Sequence, residues 1–217
     1  MDAMFAHCDE LGPAKVIHLS EPRHGLQAIV VVDNVSAGPA IGGVRMASDV
    51  SVGECTRLAR AMTLKNAAAG LAHGGGKSVI VADPTLPAQS KERLMRAFAR
   101  AIADIKDYIP GPDMGTDERC MAFVHDEIGR VVGLPVELGG IPLDEVGATG
   151  FGVAVAVCSE PLSICISTCM VRVSPCKALA RSVNTPRVSC AIKARYWWPH
   201  RTRADVSSIL WVWMLTR

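Results

Sequence analysis

Three residues have the type and setting for proton chemistry: Lys65, Lys77 and Asp113. Lys77 follows three consecutive glycines and leads into the apolar run SVIVA, within GLAHGGGKSVIVADP, residues 70–84. Glycine costs backbone entropy on folding, so three in a row imply that bare backbone must come close to something, here a substrate beside Lys77. A lysine held in a partly dry pocket beside another cation gives up its proton near neutral pH, which suits a general base or an activator of water. Lys65 would be that second cation and would hold a substrate carboxylate. Asp113, in a loop fixed by Pro112 and Gly115, would pass protons. Taken alone, the same residues also read as two surface lysines and a turn aspartate, because charged side chains are mostly solvated. GGGK is not a phosphate loop, since the G-x-x-x-x-G-K-[ST] spacing is absent. His73 reads as a packing residue, and Cys8, Cys55 and Cys120 as buried or idle thiols.

The elements that must position these residues follow from pattern. Residues 14–19 and 26–32 read as strands, with Pro22 and Gly25 between them marking a turn. SAGPAIGGVRM, residues 36–46, reads as a glycine-punctuated loop. Ser51 and Glu54 have capping-box spacing, and the helix they open runs to about Ala69, closed by Gly70. Leu58, Met62 and Ala69 share one of its faces, with Lys65 one turn beyond Met62. The strand SVIVA ends at Asp83-Pro84. A second helix opens at Ser90, with Leu94, Phe98, Ile102 and Ile105 as its apolar stripe, and Pro110 stops it. The loop GPDMGT then leads to a third helix capped by Thr116. Strands alternating with helices imply an α/β layered domain.

Bulk properties are those of a globular protein: 217 residues, 49% hydrophobic, 20% charged, net charge +2. No window offers 18 uncharged apolar residues for a spanning helix, and MDAMFAHCDE lacks the form of a signal peptide. A cytoplasmic protein with reduced thiols and no membrane partner is the expectation.

Four segments occur in a telling order: GPAIGGVRM, AMTLKNAAAGLAHGGGKSVIVADP, GPDMGTDERCMAFVHDE and GATGFGVAVAV. Together they resemble the glutamate/leucine/phenylalanine/valine dehydrogenases over roughly residues 12–157, and more the leucine, valine and phenylalanine branch than the glutamate branch. The resemblance implies a three-layer α/β N-terminal domain for substrate binding and dimerisation, spanning residues 1–157. It also implies reversible, NAD-dependent oxidative deamination of an L-amino acid, branched-chain or aromatic, to a 2-oxo acid, in a homo-oligomer. By the same resemblance Lys65 would take the substrate carboxylate, Lys77 would activate the water that attacks the imine, and Asp113 would shuttle protons. Gly42, Gly43 and Met62 would line the substrate pocket, and Thr149 would touch the nicotinamide carboxamide.

The tail departs from that family. All 19 glycines precede residue 158, and residues 158–217 hold all four tryptophans, five of the eight cysteines and nine Lys/Arg against two Asp/Glu. A Rossmann phosphate loop needs glycine, so the nucleotide domain is missing from this chain as it reads. The genetic code tests whether the tail is out of frame, by joining the third base of each codon to the first two of the next. The Met170-Val171 junction must then encode glycine, the run Tyr196 to Pro199 must encode Leu-Val-Ala, and Trp213-Met214 must encode aspartate. Elsewhere the triplets are permissive, and they allow G-x-G-x-x-G after Lys177, Leu179 and Ser182, with an aspartate after Arg201 at the spacing of a ribose-binding acid. A frameshift near Cys158 is therefore expected, leaving residues 158–217 as a non-native tail and the chain inactive. The alternative is a catalytically dead subunit that still oligomerises or binds amino acid. Cys165, Cys169, Cys176 and Cys190 form no C-x-x-C pair, so no metal is expected. The basic-aromatic RYWWPHRTR is explained by the frame rather than by nucleic acid.

Overall fold

The computed structural model describes residues 5–141 and, beyond them, only Ala148. Five strands form one mixed sheet: β1 Lys15–Glu21, β2 Leu26–Asn34, β3 Ala40–Ala47, β4 Gly74–Val81 and β5 Tyr108–Pro112, in the spatial order β1-β2-β4-β3-β5. β1 and β2 pair antiparallel, as do β2 and β4, whereas β3 lies parallel to both β4 and β5. Three helices cover the sheet: α1 Val52–Ala68, α2 Ala88–Ala101 and α3 Glu118–Ile128.

The period-two alternation of the strands sorts the core into two layers. Val30, Val32, Val44, Met46 and Ile80 pack with Leu94, Met95, Phe98, Met121 and Val124 of α2 and α3. On the opposite face, Ile29, Val31 and Val79 pack with Cys55 and Ala59 of α1. Both faces are covered, which gives the expected three-layer α/β domain. It also explains why residues 28–32 of β2 are buried without a break.

Several local expectations are corrected. Residues 40–47 form β3 inside the sheet, not a loop. The glycines that suggest a loop are required there by crowding: a Cβ on Gly42 would lie 1.6 Å from the Gly76 carbonyl oxygen. The three glycines before Lys77 belong to β4, so the lysine sits within a strand rather than at its start. α2 ends at Ala101, short of Ile105, and residues 108–112 form β5. Pro110 and Pro112 fit that strand because it is the sheet's edge, where missing donors leave no ladder partner unsatisfied. α3 is capped by Asp117, which accepts from the Cys120 amide at 2.9 Å; Thr116 points elsewhere.

α1 keeps its predicted cap, with Ser51 Oγ accepting from the Glu54 amide at 3.2 Å, and Gly70 closes it at φ 67°. Its deeply buried face runs through Cys55, Thr56, Ala59 and Asn66, beside the half-buried Leu58 and Met62. The face that Leu58, Met62 and Ala69 share is thus offset from the one that packs on the sheet. At the far end of the domain Arg130 ties elements together, donating to the carbonyls of Ile102, Ala103, Ile105 and Tyr108.

Candidate active site

Lys77 lies on the α1 side of β4, in the same alternation as Gly75 and Val79, and only 5% of its surface is exposed. Asp113 follows directly on β5. Lys77 Nζ donates to Asp113 Oδ2 at 2.7 Å. The same oxygen accepts from Arg45 Nε of β3 at 2.9 Å. Arg45 in turn donates through Nη1 to Glu54 in the first turn of α1. Residues of three parallel strands thus meet at a single carboxylate, and Arg45 links it to the start of α1. Asp113 Oδ1 has no hydrogen-bond partner among the described residues, and 23% of the side chain is exposed.

The loop that presents Asp113 is fixed from below. The Asp113 amide donates to Thr116 Oγ1 at 3.0 Å, and Thr116 Oγ1 donates to the Val44 carbonyl at 2.7 Å. Gly43 borders the same point, because a Cβ there would approach Asp113 Cβ to 2.7 Å. Gly42 shares the opposite face with Val44 and Met46, and its carbonyl accepts from the buried Tyr108 hydroxyl at 2.9 Å. Of the two glycines expected in the pocket, Gly43 is therefore the one beside the Lys77–Asp113 pair.

Burial alone would raise the Asp113 carboxyl, but the hydrogen bonds and positive charges of Lys77 and Arg45 outweigh it and hold the group below its ordinary range. Beneath Lys77, Cys55 Sγ contacts the Lys77 carbonyl at 3.5 Å. Burial pushes that thiol up to about 12, so it is a packing residue rather than a nucleophile.

The glycine run has a different purpose from the one expected of it. A Cβ on Gly75 would lie 2.0 Å from the Thr63 backbone nitrogen of α1, and one on Gly76 would lie 2.9 Å from the Tyr108 ring. Protein atoms, not a substrate, fill the space the glycines leave. They let α1 dock against β4 on one face and Tyr108 on the other, and this seats Lys77. Lys65 is exposed and Met62 half-buried on α1, and neither joins the Lys77–Asp113–Arg45 cluster through an ion pair or hydrogen bond among the described residues. The second cation on the carboxylate is Arg45. The sequence reading passed over it, although it stands in the quoted GPAIGGVRM two residues from Gly43, on the same face of the strand.

A dinucleotide's phosphates need open glycine backbone at a helix N-terminus. Here the glycine run lies in a strand and is closed on both faces, so it offers no such cradle, and Thr149 lies outside the described residues. No group of three His, Cys, Asp or Glu side chains converges as metal ligands would among the described residues. None of the helices among those residues is long and apolar enough to cross a membrane.

Residues 13–130 match the family described as Glu/Leu/Phe/Val dehydrogenase, dimerisation domain. The chain belongs to this family. It is 36% identical over 141 residues to leucine dehydrogenase of Bacillus subtilis, covering 63% of this chain and 38% of that enzyme. It is 41% identical over 139 residues to the NADP(+)-dependent glutamate dehydrogenase of Pyrobaculum calidifontis, covering 58% and 33%. Among solved structures, glutamate dehydrogenase from Peptoniphilus asaccharolyticus is similar at 32% identity and TM-score 0.59, covering 69% of this chain and 44% of that one. The hetero-hexameric glutamate dehydrogenase from Thermus thermophilus, in a Leu-bound form, gives 30% identity and the same TM-score of 0.59, covering 68% and 40%. The chain thus spans about two fifths of the length of the relatives it matches. Leucine and glutamate branches both appear at comparable identity, so likeness alone does not choose between their substrates.

Proposed function

We propose that residues 1–157 are the substrate and oligomerisation domain of an NAD-dependent amino-acid dehydrogenase acting on a branched-chain or aromatic L-amino acid. The observation that carries this reading is the buried Lys77 ammonium 2.7 Å from a carboxylate whose other oxygen has no partner among the described residues. In the amino acid's imine, carbon is attacked by water, and the leaving nitrogen must gain protons. Lys77 would activate the water that attacks that carbon. Asp113 Oδ1 takes or returns the proton of the amino group. Gly43 leaves room beside both, while Lys65 and Met62 on α1 would supply the carboxylate contact and an apolar wall. NAD would be held by a second domain, and Thr149 would touch its nicotinamide carboxamide.

For residues 158–217 we propose an out-of-frame tail and, in consequence, no turnover by this chain. The alternative, a dead subunit that self-associates or binds amino acid, rests on the same intact Lys77–Asp113 pair and is distinguished by assay. Titration calorimetry of the 217-residue chain with L-leucine, L-valine and L-phenylalanine should give saturable binding for at least one of them. Asp113→Asn should abolish it. No heat with any of the three defeats the substrate-domain reading, and NADH formation above background defeats the inactive one. Size-exclusion chromatography of the same sample should show a defined homo-oligomer rather than aggregate.

A further inference from the structure

The cluster contains one cation that the proposed reaction does not yet use. Arg45 projects from β3 on the Gly43 side of the sheet, with 17% of its side chain exposed. Its guanidinium offers a fixed fork of donors, and the fork is spread across two carboxylates on different elements. Nε meets Asp113 Oδ2 at the end of β5, and Nη1 meets Glu54 in the first turn of α1. Lysine has a single donor head, so it could satisfy one of these carboxylates but not hold both in this geometry.

The consequence for Asp113 is geometric. A lone lysine–carboxylate pair leaves the carboxylate free to rotate and present either oxygen. Here Oδ2 is held by two donors on neighbouring strands, at 2.7 and 2.9 Å, and the loop backbone is pinned by Thr116. The carboxylate plane is fixed, and Oδ1 is the oxygen with no partner among the described residues. We propose that Arg45, anchored by Glu54, is a positioning residue that locks Asp113 Oδ2 against Lys77 and so leaves Oδ1 as the single proton acceptor for a substrate amino group. This rests on the substrate-domain reading above. The proton balance is simple: an N–H bond of the substrate ammonium breaks, an Oδ1–H bond forms, and the electron pair stays on nitrogen.

The charged and titratable groups facing Asp113 among the described residues are few. They are Lys77 from β4, Arg45 from β3 and, through Arg45, Glu54 from α1; Cys55 behind Lys77 and the buried Tyr108 phenol of β5, which also senses the Asp113 charge, both stay protonated. Burial disfavours the charge on Arg45, yet Asp113 and Glu54 more than offset this and the guanidinium is held firmly protonated. Removing Arg45 therefore removes half of the positive charge on Asp113 and half of its hydrogen bonds.

The test is NMR titration of the full 217-residue chain carrying carboxyl-13C aspartate and 15N arginine, with Asp113 and Arg45 assigned by Asp113→Asn and Arg45→Lys. In the unmodified chain the Arg45 Nε–H signal should be protected from exchange and should move with the same midpoint as the Asp113 carboxyl. In Arg45→Met the Asp113 midpoint should shift upward, and Arg45→Lys should restore part of that shift. A freely exchanging Nε–H, or a folded Arg45→Met chain with the Asp113 midpoint unmoved, overturns the proposal. If Arg45→Met does not fold, the exchange measurement on the unmodified chain decides alone. Failure of the substrate-domain reading looks different: the Nε–H coupling and the midpoint shift persist, but no amino acid binds.

Discussion

Removing one partner of the Lys77–Asp113 pair should not cost the same from either side. Asp113 is the only hydrogen-bond partner of Lys77 Nζ among the described residues, and Lys77 is nearly sealed from water. Asp113→Asn therefore strands a buried ammonium, a loss of about 3 kcal/mol. Lys77→Met leaves Asp113 still paired with Arg45 and partly exposed, so it should cost clearly less. Urea unfolding of both variants measures the difference, and equal losses would contradict the geometry. The pH dependence has a definite sign. The folded Asp113 carboxyl sits below its ordinary, unfolded value, so its contribution to stability is complete above that unfolded value. It is lost as pH falls through the folded value, and the acid limb of stability should be shallower in Asp113→Asn. At this scale the sequence already singles out Lys77 and Asp113, because a lysine after bare glycines and an aspartate between Pro112 and Gly115 are unusual settings. Arg45 was not legible in the same way, since an arginine in a strand carries no spacing signal until β3 is known to lie between β4 and β5.

The contact between α1 and β4 is where a single methyl group should matter most. Gly75→Ala places a Cβ 2.0 Å from the Thr63 backbone nitrogen, and a helix backbone cannot yield as a flexible side chain does. The helix must lift from the sheet, at a cost of about 3 kcal/mol, and Lys77 shifts with the strand. Gly70→Ala tests the contrasting case, a turn at φ 67° with nothing within 4 Å, where only backbone strain of about 1 kcal/mol applies. Thermal unfolding of the two variants should rank them in that order. Arg130→Met should also be costly, by about 2 kcal/mol, since one guanidinium serves carbonyls at the end of α2 and the start of β5. Elements with strong periodicity were legible: β1, β2, α1 and the buried stripe Leu94 and Phe98 of α2, with Ile102 just past its end, stand close to where pattern puts them. β3 and β5 were not. Their glycines and prolines signal loops by local propensity, and only tertiary crowding at Gly42 and an edge position for Pro110 make them strand residues.

For the whole molecule, the decisive asymmetry lies between the part that matches the family and the part that holds no glycine. The family match ends at residue 130, and the aligned relatives cover 58–69% of this chain while only 33–42% of their own length is used. Every described feature of the Lys77 cluster lies within the matched part. The closed glycine run of β4 offers no cradle for a dinucleotide, and under the proposed function turnover would need a further domain. The two statements together give a prediction about the gene rather than the fold. An independent nucleotide sequence across the codons for Gly150 to Val188 should contain a frame, reached by one inserted or deleted base near Val157, that encodes G-x-G-x-x-G. A protein expressed from that restored frame should form NADH with an amino acid that the 217-residue chain merely binds, and Asp113→Asn in the restored protein should abolish the reaction. If no shifted frame carries the fingerprint, residues 158–217 are a genuine extension of the substrate domain. The amino-acid site would then belong to a binding subunit, with calorimetric binding retained and no dehydrogenase activity to restore.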